Sequence, residues 1–403
     1  MKKILQVVTY PIDKPRHGGQ IRCSQIRNFL IETGYDVTTL SILPKGTSTD
    51  LDISIVVPQE FGEQFPYLSD PSIAPLIQDL YIHDWLCTSN GQKQLFEKLQ
   101  PFDFDVIVIE QPWSFTGIFK VFSDSKANPK FIYSSHNHET PLKRQIIQEF
   151  APDLSALLLE HVVESIRKLE ASIVSTSDEI WCVTNTDLES IESTHIAPSI
   201  LAPNGTRPKV SEPVGPSLTP QEYALFVGSA YPPNLHGFIE MIGSNVYFLP
   251  PSFQIVCVGG VAAMLRSWAE TLPSPEKFLE RVVFFDDATE DELDLLIAHC
   301  KIVLLPIKTG SGSNLKTAEA LASGKQIVAT SKAMRGFERW LAEPGVHIAD
   351  TQVEFRRKIG QLAIQVEPFE KIDRISSAAT PLYWPDCLEP ISRGLLSDAR
   401  NSK

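Results

Sequence analysis

The chain has 403 residues, 43% hydrophobic and 21% charged, with 49 acidic against 36 basic side chains and a formal net charge of −13. That length and balance suit a soluble globular protein of two ordinary domains. The acidic surplus argues against broad binding to nucleic acid or anionic membranes, and no apolar run approaches the ~20 residues of a membrane-spanning helix. Six scattered cysteines with no Cys-x-x-Cys pair suggest neither a zinc site nor a disulfide framework. Cys182, Cys257 and Cys300 fall in or beside apolar runs and read as small core residues.

The first strand runs from Ile4 to Thr9. Its apolar run stops at Val8 and meets Pro11, too short for a secretory signal. A loop carrying Gly18-Gly19 feeds a helix from about Ile21 to Glu32, and Asp36 to Leu40 form the second strand. By themselves the paired glycines read as a tight turn that allows close packing. Residues 45–67 carry little signal, and residues 67–87 have a helical period that core packing explains as well as an acceptor-covering role does.

Phe104 to Ile109 is a buried strand that ends in Glu110-Gln111-Pro112-Trp113. Polar residues at the carboxyl end of a parallel strand face the ligand crevice of an open α/β sheet. Phe131 to Ser134 is another strand, ending in Ser135-His136-Asn137-His138-Glu139. A lone loop histidine is usually structural, but this cluster favours a functional reading. The spacing of His136 and His138 is not helical metal-ligand spacing, and no third ligand is evident, so no metal is required. An amphipathic helix follows from Asp153 to Thr176, then a strand from Glu179 to Val183. Pro203-Asn204-Gly205 is a turn, and the proline-rich stretch from 208 to 221 is the linker between domains 1–207 and 222–380.

The second domain opens on a strand ending in Val227-Gly228 with Ser229 after it. Further strands run from Gln254 to Val258 and from Val282 to Phe285, with a helix from Glu290 to His299. Most informative is Thr309 to Gly324, which lies between the apolar runs Ile302 to Leu305 and Gln326 to Thr330. The pattern is strand, glycine-rich loop, helix, strand. Ser313 or Asn314 caps the helix, and Leu315, Ala318, Leu321 and Ala322 anchor it to the sheet. Free amides and the helix dipole make this end a phosphate site. Lys316 and Glu319 share one helix face, where the ammonium can neutralise a phosphate and the carboxylate can accept from two adjacent hydroxyls, as on a ribose. The plainer alternative is an exposed ion pair beside an ordinary loop. The loop is neither a P-loop nor a dinucleotide fingerprint.

In order and spacing, Gly310, Gly312, Lys316, Glu319-Ala320-Leu321-Ala322, Gly324 and the strand after them resemble the donor-site segment of family-four glycosyltransferases. The resemblance implies a GT-B fold, α/β throughout, with two Rossmann-like domains facing each other across a cleft and a C-terminal helix (residues 381–403) returning to the first. It implies a retaining transferase whose co-substrate is a nucleotide-diphosphate sugar, UDP- or GDP-linked, with no further cofactor. The phosphates would sit over Gly310, Ser311, Gly312, Ser313, Asn314 and Leu315 and near Lys316. Glu319 would hold the ribose, and His136 (or, as a substitute, His138) would touch the sugar. Gly18 and Gly19 would lie near sugar and acceptor, Gly228 and Ser229 near the diphosphate, and Phe285 and Asp286 beside the base.

Two departures stand out. The Arg and Lys that relatives carry after Gly228 are missing, which moves the phosphate load onto Lys316 and backbone amides. A glutamate that relatives place eight residues before Glu319 is Ser311 here, which leaves sugar identity and the level of activity open. The expected partners are the nucleotide sugar and a carbohydrate-type acceptor such as a glycan or glycolipid precursor. The expected location is the cytoplasm, peripheral to a membrane at most. A nucleotide-sugar epimerase and a non-catalytic nucleotide-sugar-binding protein remain the alternatives. A dehydrogenase is disfavoured because no dinucleotide fingerprint follows the first strand.

Overall fold

The computed structural model describes residues 1–58, 73–123, 128–192, 197–208, 215–309, 313–365, 372 and 382–397. Residues group into two compact units, Met1–Pro203 with Leu388–Lys403, and Asn204–Cys387. Each is built on one wholly parallel sheet.

In the first unit the strands are β1 (Lys3–Val8), β2 (Asp36–Pro44), β3 (Ile53–Val57), β4 (Val106–Glu110), β5 (Lys130–Ser134), β6 (Glu179–Cys182) and β7 (Ser199–Leu201). Their order in the sheet is β3-β2-β1-β4-β5-β6-β7. The apolar β4 is buried along its length because neighbours pair on both sides and helices cover both faces. β3 lies in the stretch from which the sequence yields little. It alternates buried and exposed residues, as an edge strand covered on one face does. Side-chain parity sets the two faces of the central strands. Leu5, Val7, Ile107 and Ile109 join the core under α2 (Gln78–Leu86), α3 (Ser89–Leu99) and α4 (Phe115–Phe122). Gln6 and Glu110, of opposite parity, point to the face covered by α1 (Gly18–Glu32). That helix begins at Gly18, so the glycine pair is its first turn and not part of the preceding loop.

His138 precedes α5 (Glu139–Phe150), and the long helix is α6 (Ala156–Thr176), capped by Ser155. A short α7 (Asn185–Glu192) follows β6. The last helix runs from Trp384 to Ser397, and from Leu388 onward it belongs to this unit. There Leu395 O accepts Lys2 Nζ at 2.9 Å.

The second sheet is β10-β9-β8-β11-β12-β13, made of β8 (Glu222–Val227), β9 (Phe253–Val258), β10 (Val282–Phe285), β11 (Ile302–Leu305), β12 (Gln326–Ala329) and β13 (Val346–Ile348). Alternation divides its strands between two cores. Ala224, Phe226, Ile255, Cys257, Ile302 and Leu304 pack under α8 (Pro232–Met241), α9 (Gly260–Glu270) and α13 (Gln352–Ala363). Leu225, Val256, Val258, Val303 and Leu305 pack under α11 (Glu290–His299) and α12 (Leu315–Ala322). A five-residue helix, α10 (Pro275–Leu279), precedes β10. α11 has a full capping box, Thr289 with Glu292. In both units the chain reverses its direction of travel across the sheet beside the first strand, between β1 and β4 and between β8 and β11. Open α/β sheets bind ligands outside the strand ends at such switch points. No described helix is long and apolar enough to cross a membrane.

Candidate functional site

At the second switch point the strands β8 and β11 end side by side. After β8, Gly228 leads into the exposed Ser229 and then α8. This loop is pressed against the one that follows β9. Gly259 adopts φ 87°, ψ −170°, and a Cβ there would lie 2.6 Å from Gly228 O. Val261 N donates to that same carbonyl at 3.0 Å. Only glycine permits both the backbone angle and the approach.

After β11 the chain passes through Gly310, Ser311 and Gly312, which lie outside the described residues, and enters α12. Asn314 is the cap, its Oδ1 accepting Lys316 N at 3.2 Å. Leu315 is buried, and Asn204 Nδ2 donates to Ser313 O at 3.2 Å, so the proline-asparagine turn braces the start of the helix. Ser313 Oγ is buried and has no partner among the described residues. Lys316 Nζ reaches across to α8 and donates to Asn234 Oδ1 at 2.9 Å. Asn234 Nδ2 donates in turn to Ser229 O at 3.0 Å. One amide thus ties the loop after β8 to the α12 ammonium. Burial lowers the Lys316 pKa to about 8, with the Glu319 charge pulling it back up. Lys316 and Glu319 also line one small cavity with Val227, Val303, Leu305 and Ala320. Sequence reasoning missed Asn234. Its one signal is a polar residue in the first turn of the helix after the β8 loop.

Of the base-side candidates, Asp286 forms a bidentate surface pair with Arg266 at 2.6 and 3.2 Å, and Phe285 packs against the α11–α12 core. Phe285 O accepts Gly259 N at 2.8 Å.

At the first switch point a buried polar cluster takes shape. His136 Nε2 lies 2.9 Å from Glu110 Oε2, and Gln6 Nε2 donates to Glu110 Oε1 at 2.7 Å and to Cys23 O at 2.9 Å. Cys23 Sγ lies 3.7 Å from His136 Nε2 and 3.5 Å from Tyr10 OH. Gly19 packs on that tyrosine, because a Cβ there would meet Tyr10 OH at 2.7 Å. Gly19 and His136 therefore share one neighbourhood. The ligand atoms of Cys23, Glu110 and His136 lie within 4.8 Å of one another, close enough for a metal ion. In this structure His136 Nε2 pairs with Glu110, and burial and the Glu110 charge push the Cys23 thiol well up. Glu110 was legible as a polar end to a buried strand, while Gln6, a polar interruption in the apolar β1, was missed. Their partners were not legible.

His138 occupies the N-cap position of α5 with its side chain exposed and Nε2 3.5 Å from Glu170, and so differs from the buried His136. Burial pushes the Glu139 carboxyl up to about 7, opposed by Lys143. A raised carboxylate pKa means the folded state holds its proton longer than the unfolded chain, so stability falls as pH rises from about 4.5 to about 7. Glu139→Gln is expected to raise the melting temperature at pH 8 relative to the parent and to leave it unchanged at pH 4, read by thermal unfolding at both values.

Residues 221–364 match the family model described as glycosyl transferases group 1. With two parallel-sheet units of this topology, the chain has the GT-B fold, and the match to the group 1 model lies within its second unit. No curated protein matches it by sequence. Among solved structures it is similar to sucrose-phosphate synthase of Thermosynechococcus elongatus, at 14% identity and a TM-score of 0.63 over 100% of both chains. It is similar to HepE of Anabaena in complex with UDP, at 12% identity and 0.63 over 98% of this chain and 100% of that one. A UDP-forming α,α-trehalose-phosphate synthase of Burkholderia xenovorans, in complex with glucose-6-phosphate, aligns at 12% and 0.65 over the same shares.

Proposed function

We propose that this protein transfers a sugar from a nucleotide-diphosphate donor to a hydroxyl of a carbohydrate-type acceptor, with retention of anomeric configuration. The observation that carries the reading is the Ser229–Asn234–Lys316 network at the amino end of α12, inside the segment that matches the group 1 family. A cation, the positive end of the helix dipole and an unpartnered Ser313 hydroxyl at one helix start suit a diphosphate. Glu319, on the same helix face as Lys316, suits the ribose diol. UDP is the favoured nucleotide, since the HepE structures hold UDP and UDP-glucose. His136 is the proposed sugar contact.

In the reaction the bond from the anomeric carbon to the diphosphate oxygen breaks, and negative charge grows on the leaving diphosphate. The Lys316 ammonium and fixed amides stabilise that charge, a role in which one lost donor costs about 10²–10³ in rate. Neither a metal nor a further cofactor is needed for this step. The acceptor is proposed to be a polysaccharide or glycolipid precursor, met in the cytoplasm or at the inner face of a membrane.

A thermal-shift screen of UDP-, GDP- and ADP-sugars tests the reading. UDP-sugars are expected to raise the melting temperature, and Glu319→Ala is expected to cost about 10-fold or more in affinity, the worth of one or two charge-assisted hydrogen bonds. A donor shift that survives both Glu319→Ala and Lys316→Ala would refute this pocket.

A further inference from the structure

Glu110 has no role in the reaction as described, yet the fold commits much to placing it. It is 1% exposed, closes β4, and both of its carboxylate oxygens are engaged. Burial opposes its ionisation, but the hydrogen bonds from His136 and Gln6 and the proximity of the imidazole overcome this and hold its pKa below the usual carboxylate range. An ionised carboxylate only accepts, so His136 Nε2 carries the proton and Nδ1 keeps its lone pair. Burial keeps the ring neutral, with Arg22 adding to that effect and Glu110 opposing it. The groups around the ring are Glu110 on β4, Arg22 and Cys23 on α1, and Tyr10 and His17 between β1 and α1. Among the described residues none pairs with Nδ1.

The backbone gives a second sign. Gln111, directly after Glu110, sits at φ 70° and ψ 161°. Side chains rarely adopt that region, which costs about 1–3 kcal/mol and is kept where the surroundings over-determine it. Its amide donates to Ser134 O at 3.1 Å, tying the end of β4 to the strand that delivers His136.

We propose that Glu110 is a positioning residue for the transfer: it fixes His136 as the Nε2–H tautomer, leaving Nδ1 to accept a hydroxyl of the donor sugar. Gln6 orients Glu110 from β1. This rests on His136 touching the sugar, as proposed above, but the pairing itself can be read without substrate.

The test uses the full chain with ¹⁵N-labelled histidine, the ring signals of His136 being assigned by their loss in His136→Asn. Two-bond ¹⁵N–¹H correlation spectra of the parent are expected to show a single Nε2–H tautomer from pH 6 to pH 8. Glu110→Gln, which keeps the shape and removes the anion, is expected to give a tautomer mixture or the opposite tautomer. With the donor found in the screen, the same variant is expected to lose on the order of 10² in kcat, with KM for the donor and the nucleotide-induced shift unchanged. A mixed tautomer in the parent, an unchanged spectrum in the variant, or a loss confined to KM would overturn the proposal. Where Glu110→Gln fails to fold, the parent spectrum decides alone. Failure of the donor reading shows in the nucleotide screen, and failure of the Glu110 assignment shows in the spectrum.

Discussion

Lys316→Met is expected to abolish most nucleotide affinity while making the protein more stable at pH 7. Both effects have one cause. The ammonium is held in a partly buried site where burial lowers its pKa to about 8, and its bond to Asn234 Oδ1 is to a neutral partner. The unfolded chain therefore binds more protons than the folded one between about pH 8 and pH 10.5, and parent stability rises with pH across that window. Below about pH 8 the full penalty is present, on the order of 2 kcal/mol once solvent screening is allowed for.

Methionine fills similar space without charge. It leaves Asn234 Oδ1 one partner short, at about 1 kcal/mol, so a net gain of about 1 kcal/mol, or 2–4 °C, is expected. Loss of the charge-assisted bonds to phosphate should cost about 1.5–3 kcal/mol of binding, roughly 10- to 100-fold in affinity. Thermal unfolding at pH 7 and pH 10 together with UDP calorimetry reads all three numbers. A stability difference that does not shrink toward pH 10 would place the ammonium in water, and undiminished UDP affinity would remove Lys316 from the site.

The second large effect is expected at Gly259. Alanine there meets two obstacles, a backbone angle of φ 87° and a carbonyl 2.6 Å from the new Cβ. The angle alone costs about 1–3 kcal/mol, and the clash is with backbone, which cannot swing aside as a flexible side chain would. A total of about 3 kcal/mol is expected for Gly259→Ala, lowering the melting temperature of the second unit by about 6–12 °C. The displaced loop is the one that carries Gly228 and Ser229, so the donor-induced shift should weaken as well. Gly34 separates the two causes, because it has φ 92° with nothing within 4 Å of a Cβ. Gly34→Ala should cost only about 1 kcal/mol. Equal losses at the two positions would mean that the close approach of the β8 and β9 loops contributes nothing.

Much of the fold was readable one segment at a time. Ile302 to Leu305 and the helix from Glu290 to His299 lie where the sequence puts them, because a short aliphatic run and a Thr-x-x-Glu cap are complete local signals. The edge strands β3 and β13, five and three residues long, escaped, since short elements carry too few residues to show a period, whereas α13 escaped although its twelve residues and Thr351–Glu354 cap carry the same local signal as α11. Candidate donor residues from Ser313 to Glu319 were legible for the same local reason, being all on one loop-to-helix unit.

The amino-acid sequence by itself determined the alternation of strands and helices, the capped start of α12 and the types of residue available to do chemistry. Only the tertiary structure decided which of them meet. Asn234 joins Lys316 across 82 positions, Glu110 joins His136 across 26 and Gln6 joins Glu110 across 104. Those distances along the chain close because strand order places β8 beside β11, β4 beside β5 and β1 beside β4. Strand order is fixed by the summed burial of whole faces, which no local pattern around an asparagine or a glutamate records.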